Sequence, residues 1–371
     1  MKTAKHKKRI LWIVLIVLAI LIAAVLTVVL LLRRKARLVP AMSFQKCLAY
    51  TTSGNPGAIV SVGILQNGQA SVTVYGEDAR ILPNEDYEFE IGSITKTFTA
   101  ALLERAVSEG KISLDDSIDQ YLDLPENGGY PTIRRLITHT SGYKSYYLEA
   151  PMVGNFFAGR NSFYGISRES MLARIAKIHL ENRDYPFSYS NFGMSVVGLV
   201  LEQAFHKDAT ALLNAFVQDD LHLSHTYVSA DGENLAYGWD WAENDAYLPA
   251  GALISTTGDM LLYAQALLDG VPACLATAQK PLAQIHAANS YYESLGIRMD
   301  AIGAAWILDE QHGIVWHNGG TGHYASYLGF DPARGIAVAV LTNLPPNDRI
   351  PATVLGAKLL LELQQEGSPS N

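Results

Sequence analysis

Ser93-Ile94-Thr95-Lys96 places a hydroxyl three residues ahead of an amine. On a helix that spacing brings both to one face, about 5 to 6 Å apart at Cβ. Such a pair can do nucleophilic chemistry only if the amine is neutral enough to take the hydroxyl proton. With an ordinary pKa near 10.4, roughly one lysine in a few thousand is neutral at pH 7, so burial or a cationic neighbour must lower it. The same Ser-x-x-Lys pattern recurs elsewhere in the chain, as at Ser43 to Lys46 and Ser141 to Lys144. Context separates them. Ser43 falls in a linker and Ser141 precedes Gly142 in a turn-like stretch, whereas Ser93 follows Gly92 and opens a helical run through Phe98, Leu102, Leu103, Ala106 and Val107. A helix N-terminus favours developing negative charge, although a serine there can also be an ordinary N-cap.

Two further stretches carry chemistry. Tyr189-Ser190-Asn191 is the single Tyr-x-Asn among 19 tyrosines, just ahead of the apolar run Met194 to Leu201. A phenol beside a lysine ammonium loses its proton more easily and could shuttle it between serine and leaving group. Late in the chain comes Trp316-His317-Asn318-Gly319-Gly320-Thr321-Gly322. Glycines beside a strand let a substrate backbone approach, and an exposed amide after Gly319 could form one arm of an oxyanion hole. A plain glycine-rich turn with a surface histidine fits the same residues.

The elements that must hold these groups are legible in outline. Ala58 to Leu65 and Ala70 to Tyr75 alternate as strands around Asn67-Gly68, a strong hairpin signal because both turn residues take positive φ. Strands are predicted again at Ala304 to Leu308, Ile314 to His317, Ala325 to Phe330 and Ile336 to Thr342, followed by a helix from Val354 to Gln364. Helical patterns fill the middle: Thr95 to Glu109, Ile133 to Thr138, Ser190 to Ala204 and Asp259 to Leu268. Strands at both ends around a helical middle predict an α+β fold, an antiparallel sheet assembled from the two chain ends and flanked by helices, with a helical subdomain.

Order and spacing resemble the serine β-lactamase and penicillin-binding protein superfamily: Ser-x-x-Lys early, Tyr-x-Asn roughly 95 residues on, and a His-x-Gly motif near the end. Tyrosine in the middle motif points to the branch holding class C β-lactamases, D-Ala-D-Ala carboxypeptidases, D-amino-acid peptidases and esterases. Leu136-Ile137-Thr138-His139-Thr140-Ser141-Gly142, Pro249 to Thr256 and Gly329-Phe330-Asp331-Pro332 add to the likeness. The resemblance implies Ser93 as acylated nucleophile, Lys96 as its activating partner and Tyr189 as proton shuttle. Asn191 would hold the substrate amide, and His317, Asn318 and Gly319 would offer a strand edge to the substrate. The backbone amides of Ser93 and Gly320 would form the oxyanion hole. The departure is His317, where lactamases of this branch carry lysine. Expected substrates are a peptide containing a D-amino acid, with an ester or β-lactam as alternatives. A non-catalytic sensor binding a cell-wall peptide would present the same groove.

Composition narrows the rest. The 371 residues are 49% apolar and 17% charged, which excludes wholesale disorder. Residues 1–40 carry nine bases and no acid, leaving 19 bases against 36 acids in the body. So acidic a body makes nucleic acid a poor partner. Ile10 to Leu32 is 23 residues without a charge, about 35 Å as a helix, enough to span a bilayer. Its length and the Arg33-Arg34-Lys35 that follows read as an uncleaved signal anchor rather than a signal peptide. We expect a basic cytoplasmic tail (1–9), a transmembrane anchor (10–32), a juxtamembrane linker (33–44), one hydrolase domain (45–366) outside the cytoplasm and a short tail (367–371). Cys47 and Cys274 lie 227 positions apart and form at most one bridge, while His222 and His225 seed no complete metal set. The nearest approach to Gly-x-Ser-x-Gly, at Gly193-Met194-Ser195, has Val197 where glycine is needed. No cofactor or metal is called for.

Overall fold

The computed structural model describes residues 39–126, 129–228, 235–287 and 289–366, with Trp12 and Val17. The expected span 10–32 thus lies outside the described residues but for those two. Among the described residues, no helix is long and apolar enough to cross a membrane. The chain forms two compact units, Met1–Cys47 and Leu48–Asn371. The first shows a 3-10 turn at Val39–Ala41 and the start of a helix, Phe44–Thr52, that runs into the second. The second carries both sheets.

Strands β1 (Val60–Gln66) and β2 (Gln69–Tyr75) form the expected hairpin, with Asn67 at φ 54° and Gly68 at φ 71°. The short strands β3 (Glu88–Glu90), β4 (Tyr227–Val228) and β5 (Leu253–Thr256) make a separate three-stranded sheet in the order β3-β5-β4, too short to show as periodicity. Strands β6 (Ala283–Gln284), β7 (Ala301–Ile302), β8 (Ile307–Asp309), β9 (Ile314–Gly320), β10 (Ala325–Asp331) and β11 (Ile336–Thr342) complete the large sheet. Its order is β2-β1-β11-β10-β9-β8-β7-β6, antiparallel throughout, so the N-terminal hairpin docks on the last strand, with Val60 opposite Thr342.

Two predicted strands shift by three residues at one end. The one expected from Ala304 begins at Ile307, because Ala305 takes φ 63° and interrupts the extended backbone. The one expected to stop at His317 runs on through Gly320, since Gly319 and Gly320 continue the ladder opposite Ser326 and Ala325.

The helices that matter are α1 (Thr95–Ser108), α2 (Ile133–Ile137), α3 (Ala150–Ala158), α4 (Asn191–Phe205), α5 (Leu248–Gly251), α6 (Thr257–Asp269) and α7 (Ala352–Glu366). A Cβ on Gly63 would meet Thr257 and Leu261 of α6, and one on Gly356 of α7 would meet Tyr327 of β10. Gly63 pairs with Ala339 and Tyr327 with Val340, successive residues of β11 that point to opposite faces. The sheet is therefore sandwiched between α6 and α7. That is why β11, Ile-Ala-Val-Ala-Val-Leu-Thr, is buried at every position and lacks the polar alternation of a one-sided strand. Helix α1 is enclosed almost all round, from Thr95 to Glu104, and Gly110 at φ 68° ends its chain direction.

Candidate active site

Ser93 lies in a 3-10 turn, Gly92–Ile94, immediately before α1. It does not cap the helix: Ile94 is the N-cap and no side chain serves there. The Ser93 hydroxyl instead meets Lys96, whose Nζ is 2.8 Å from Oγ and donates also to the Ala250 carbonyl of α5 at 2.5 Å. The lysine is wholly buried, and desolvation drives its pKa well below the ordinary range, favouring the neutral amine.

The turn is tied to β9 by close backbone approach. Ser326 Oγ donates to the Ile91 carbonyl at 2.8 Å. A Cβ on Gly319 would collide with that carbonyl, and one on Gly92, which sits at φ 49°, would fall 2.6 Å from the Gly320 nitrogen. Two glycines, Gly92 and Gly319, thus let the serine turn rest directly on the strand. Strand β8 pairs with β9 only as far as Trp316, so the edge from His317 to Gly320 is free on that side. It flanks Ser93.

Tyr189 arrives from another part of the chain. Ser190 caps α4 by accepting from the Gly193 amide at 2.8 Å and donates to the Lys144 carbonyl at 2.7 Å. This fixes the preceding phenol beside Ser93 and places its ring centre 5.1 Å from Lys96 Nζ. The expectation that lysine would ease the phenol's ionisation is reversed. Burial raises the Tyr189 pKa, with the Ser93 hydroxyl only partly offsetting it.

Asn191, at the start of α4, faces the same cleft as Ser93 and reaches Ser145 Oγ at 3.4 Å. His317 is buried, its ring centre 6.4 Å from that of Tyr189. Its Nδ1 is 2.6 Å from the Asn318 carbonyl, which can only accept, so the proton sits on Nδ1 and Nε2 is left as an acceptor. Burial, then the Lys96 charge, press its pKa down to about 3, so it is neutral at pH 7. Asn318 does not join the cleft. Its side chain points to the other face of β9 and donates to Thr353 of α7 at 2.9 Å.

Several groups in the site carried no predicted role. His139 is buried, with its ring 4.7 Å from Tyr189, and its Nδ1 accepts from the Ser190 amide at 3.2 Å. Its proton is therefore on Nε2, which has no hydrogen-bond partner among the described residues. Burial, then Lys96 and His317, push its pKa well down. The only signal in the chain was its place in the Thr138-His139-Thr140-Ser141-Gly142 phrase. Glu90, at the end of β3, is buried and accepts from the Thr321 hydroxyl and the Trp239 amide, fastening the end of β9 to the loop that forms the far wall. That wall is aromatic: Phe163, Trp239, Trp241 and Tyr247. A wider recess of about 750 Å³ around the Arg168–Glu202 ion pair shares only the α5 region with the site and does not reach Ser93. Among the described residues no group of His, Cys, Asp and Glu is arranged to hold a metal, and Cys274 is a thiol rather than half of a disulfide.

A buried amine, a serine hydroxyl and a phenol in one hydrogen-bonded cluster can move a proton without a metal. Comparison with known proteins agrees with this chemistry. The β-lactamase family model matches residues 51–361. A β-lactamase of Pseudomonas fluorescens is 27% identical over 342 residues, 79% of this chain and 91% of the relative. The fold superposes on a β-lactamase/D-alanine carboxypeptidase of Yersinia pestis with a TM-score of 0.64, at 20% identity over 84% of this chain and 94% of the other. It superposes on a D-stereospecific amidohydrolase of Streptomyces sp. with a TM-score of 0.61, at 23% identity over 81% and 94%. With the family model covering most of its length, this chain belongs to the β-lactamase family and is a serine hydrolase of that fold.

Proposed function

We propose that the protein cleaves an amide through an acyl-enzyme on Ser93, its substrate a peptide containing a D-amino acid. The Ser93 hydroxyl gives its proton to neutral Lys96, directly or through Tyr189, as Oγ bonds to the carbonyl carbon. Negative charge on the carbonyl oxygen is met by the amides of Ser93 and Gly320. Tyr189, kept protonated by burial, passes a proton to the leaving nitrogen as the carbon–nitrogen bond breaks and recovers it from Lys96. Water then adds to the ester carbonyl as the cluster takes its proton; the Oγ–carbon bond breaks, Ser93 Oγ receives that proton, and the acid departs. Asn191 and the free edge of β9 hold the substrate.

The observation that carries this reading is the 2.8 Å approach of a fully buried lysine amine to the Ser93 hydroxyl. The D-peptide preference draws on the carboxypeptidase and the D-stereospecific amidohydrolase whose folds it shares. Neutral His317 supports it as well, since a fixed cation is missing where lactamases of this branch have lysine. Esterase or β-lactamase turnover is the second reading, favoured by the Pseudomonas relative. We place the hydrolase outside the cytoplasm, tethered by residues 10–32, on the strength of their uncharged length. A panel of D-alanyl peptides, short-chain esters and cephalosporins tests the substrate class: D-alanyl release is expected, and turnover of esters alone would refute the peptidase.

A further inference from the structure

The cleft beside Ser93 does not end at its aromatic wall. Phe163 and Trp239 line it and also line a second recess of about 450 Å³, shared with Tyr146, Leu148, Val153 and Phe156. The two spaces share walls. The aromatic rings form a continuous track: Phe163 stacks on Tyr247 at 4.4 Å, meets Trp239 edge-on at 5.9 Å and Tyr146 at 6.4 Å, and Trp239 meets Trp241 at 6.0 Å.

This wall is built to stay in place. Arg160 Nε donates to Asp240 at 2.6 Å and Asn161 Nδ2 to the Asp240 carbonyl at 3.0 Å, joining the segment after α3 to the loop that carries Trp239. Glu90 holds the Trp239 amide from below. Yet the far side of the recess is unusually apolar for a surface: Leu148 is 69% exposed and Phe156 75%. Apart from Ser162, all its lining side chains are aromatic or aliphatic. Its volume falls in the range that takes a drug-sized ligand and exceeds what the methyl group of a D-alanine could fill.

We infer that this recess is an acyl-side subsite that selects substrates bearing a long apolar acyl chain. The inference rests on the acyl-enzyme reading of Ser93. Asn191, which would hold the acyl-side amide, faces the same cleft as Phe163 and Trp239, so a chain leaving the scissile carbonyl on that side would pass along the two rings that the cleft and the recess have in common. A chain of about eight carbons exchanges water for apolar contact there, which small acyl groups cannot do.

The test uses the full chain and monomeric p-nitrophenyl acetate, butyrate and octanoate, with acylation of Ser93 followed by mass. kcat/KM is expected to rise at least about tenfold from acetate to octanoate. Val153→Trp, which fills the recess from an exposed helical position, is expected to lower the octanoate-to-acetate ratio about tenfold. Leu148→Trp provides the same block from the facing segment should the first variant fold poorly. A flat chain-length profile, or a rise that both tryptophans leave intact, overturns the subsite while leaving the hydrolase standing. If no ester acylates Ser93, the acyl-enzyme reading itself fails and the subsite with it.

Discussion

A lysine sealed from solvent and hydrogen-bonded to two uncharged oxygens has no counter-ion to retain its proton. The histidines beside it follow the same rule. His317 would titrate near 6.5 in the unfolded chain but only near 3 in the fold, so between those values the unfolded state binds more protons. Its neutral burial is therefore costless above about pH 6.5, and stability is lost as pH falls toward 3. The full window corresponds to roughly 4 to 5 kcal/mol at about 1.4 kcal/mol per pKa unit. His317→Gln removes this proton linkage. Its melting temperature is expected to fall less steeply than the parent's between pH 7 and pH 4, measured by circular dichroism. The comparison with the parent cancels the opposite contribution of Asp245, whose carboxyl burial pushes up to about 6. Parallel slopes would contradict the buried neutral imidazole.

At the scale of elements, the site depends on how closely the turn before α1 approaches β9. The contact has no side chains to adjust on one partner, since Gly319 and Gly320 present bare backbone to Ile91 and Gly92. Gly319→Ala must push turn and strand apart. An overpacked contact of this kind costs about 1 to 3 kcal/mol. Displacing the hydroxyl by about 1 Å from its partners is expected to lower kcat/KM about a hundredfold. Thermal melts and steady-state kinetics on the same preparation check both. Gly57→Ala, at a loop position without positive φ and with nothing nearer than 3.8 Å, is the control for losing a glycine. An active, fully stable Gly319→Ala would show that the glycine is not required by this approach.

Over the whole molecule, what was legible in the chain was what repeats locally. The hairpin at Asn67-Gly68, the helix after Ser93 and the apolar strands near the C-terminus each carry their own periodicity or turn chemistry. The docking of the first hairpin on the last strand is a fact of topology, and only the resemblance of motifs made the convergence of Ser93, Lys96 and Tyr189 expected. His139 had no readable role because its neighbours come from the start of α4, about 50 residues on, and strand alternation turns the Asn318 side chain toward α7 while leaving its backbone on the β9 edge. The charge division of the chain yields a prediction of its own. The full chain is expected in the membrane fraction, and removal of residues 1–38 is expected to release an active body into the soluble fraction, as Western blot and ester hydrolysis would report. A full chain that stays soluble would count against residues 10–32 as an anchor. The central claim is that Ser93 forms the covalent bond, and intact-protein mass spectrometry after brief exposure to a fluorophosphonate or a penicillin tests it most directly. One adduct per chain is expected, mapping to the peptide that contains Ser93 and absent from Ser93→Ala. An adduct that persists in that variant, or none on the folded parent, would contradict the account.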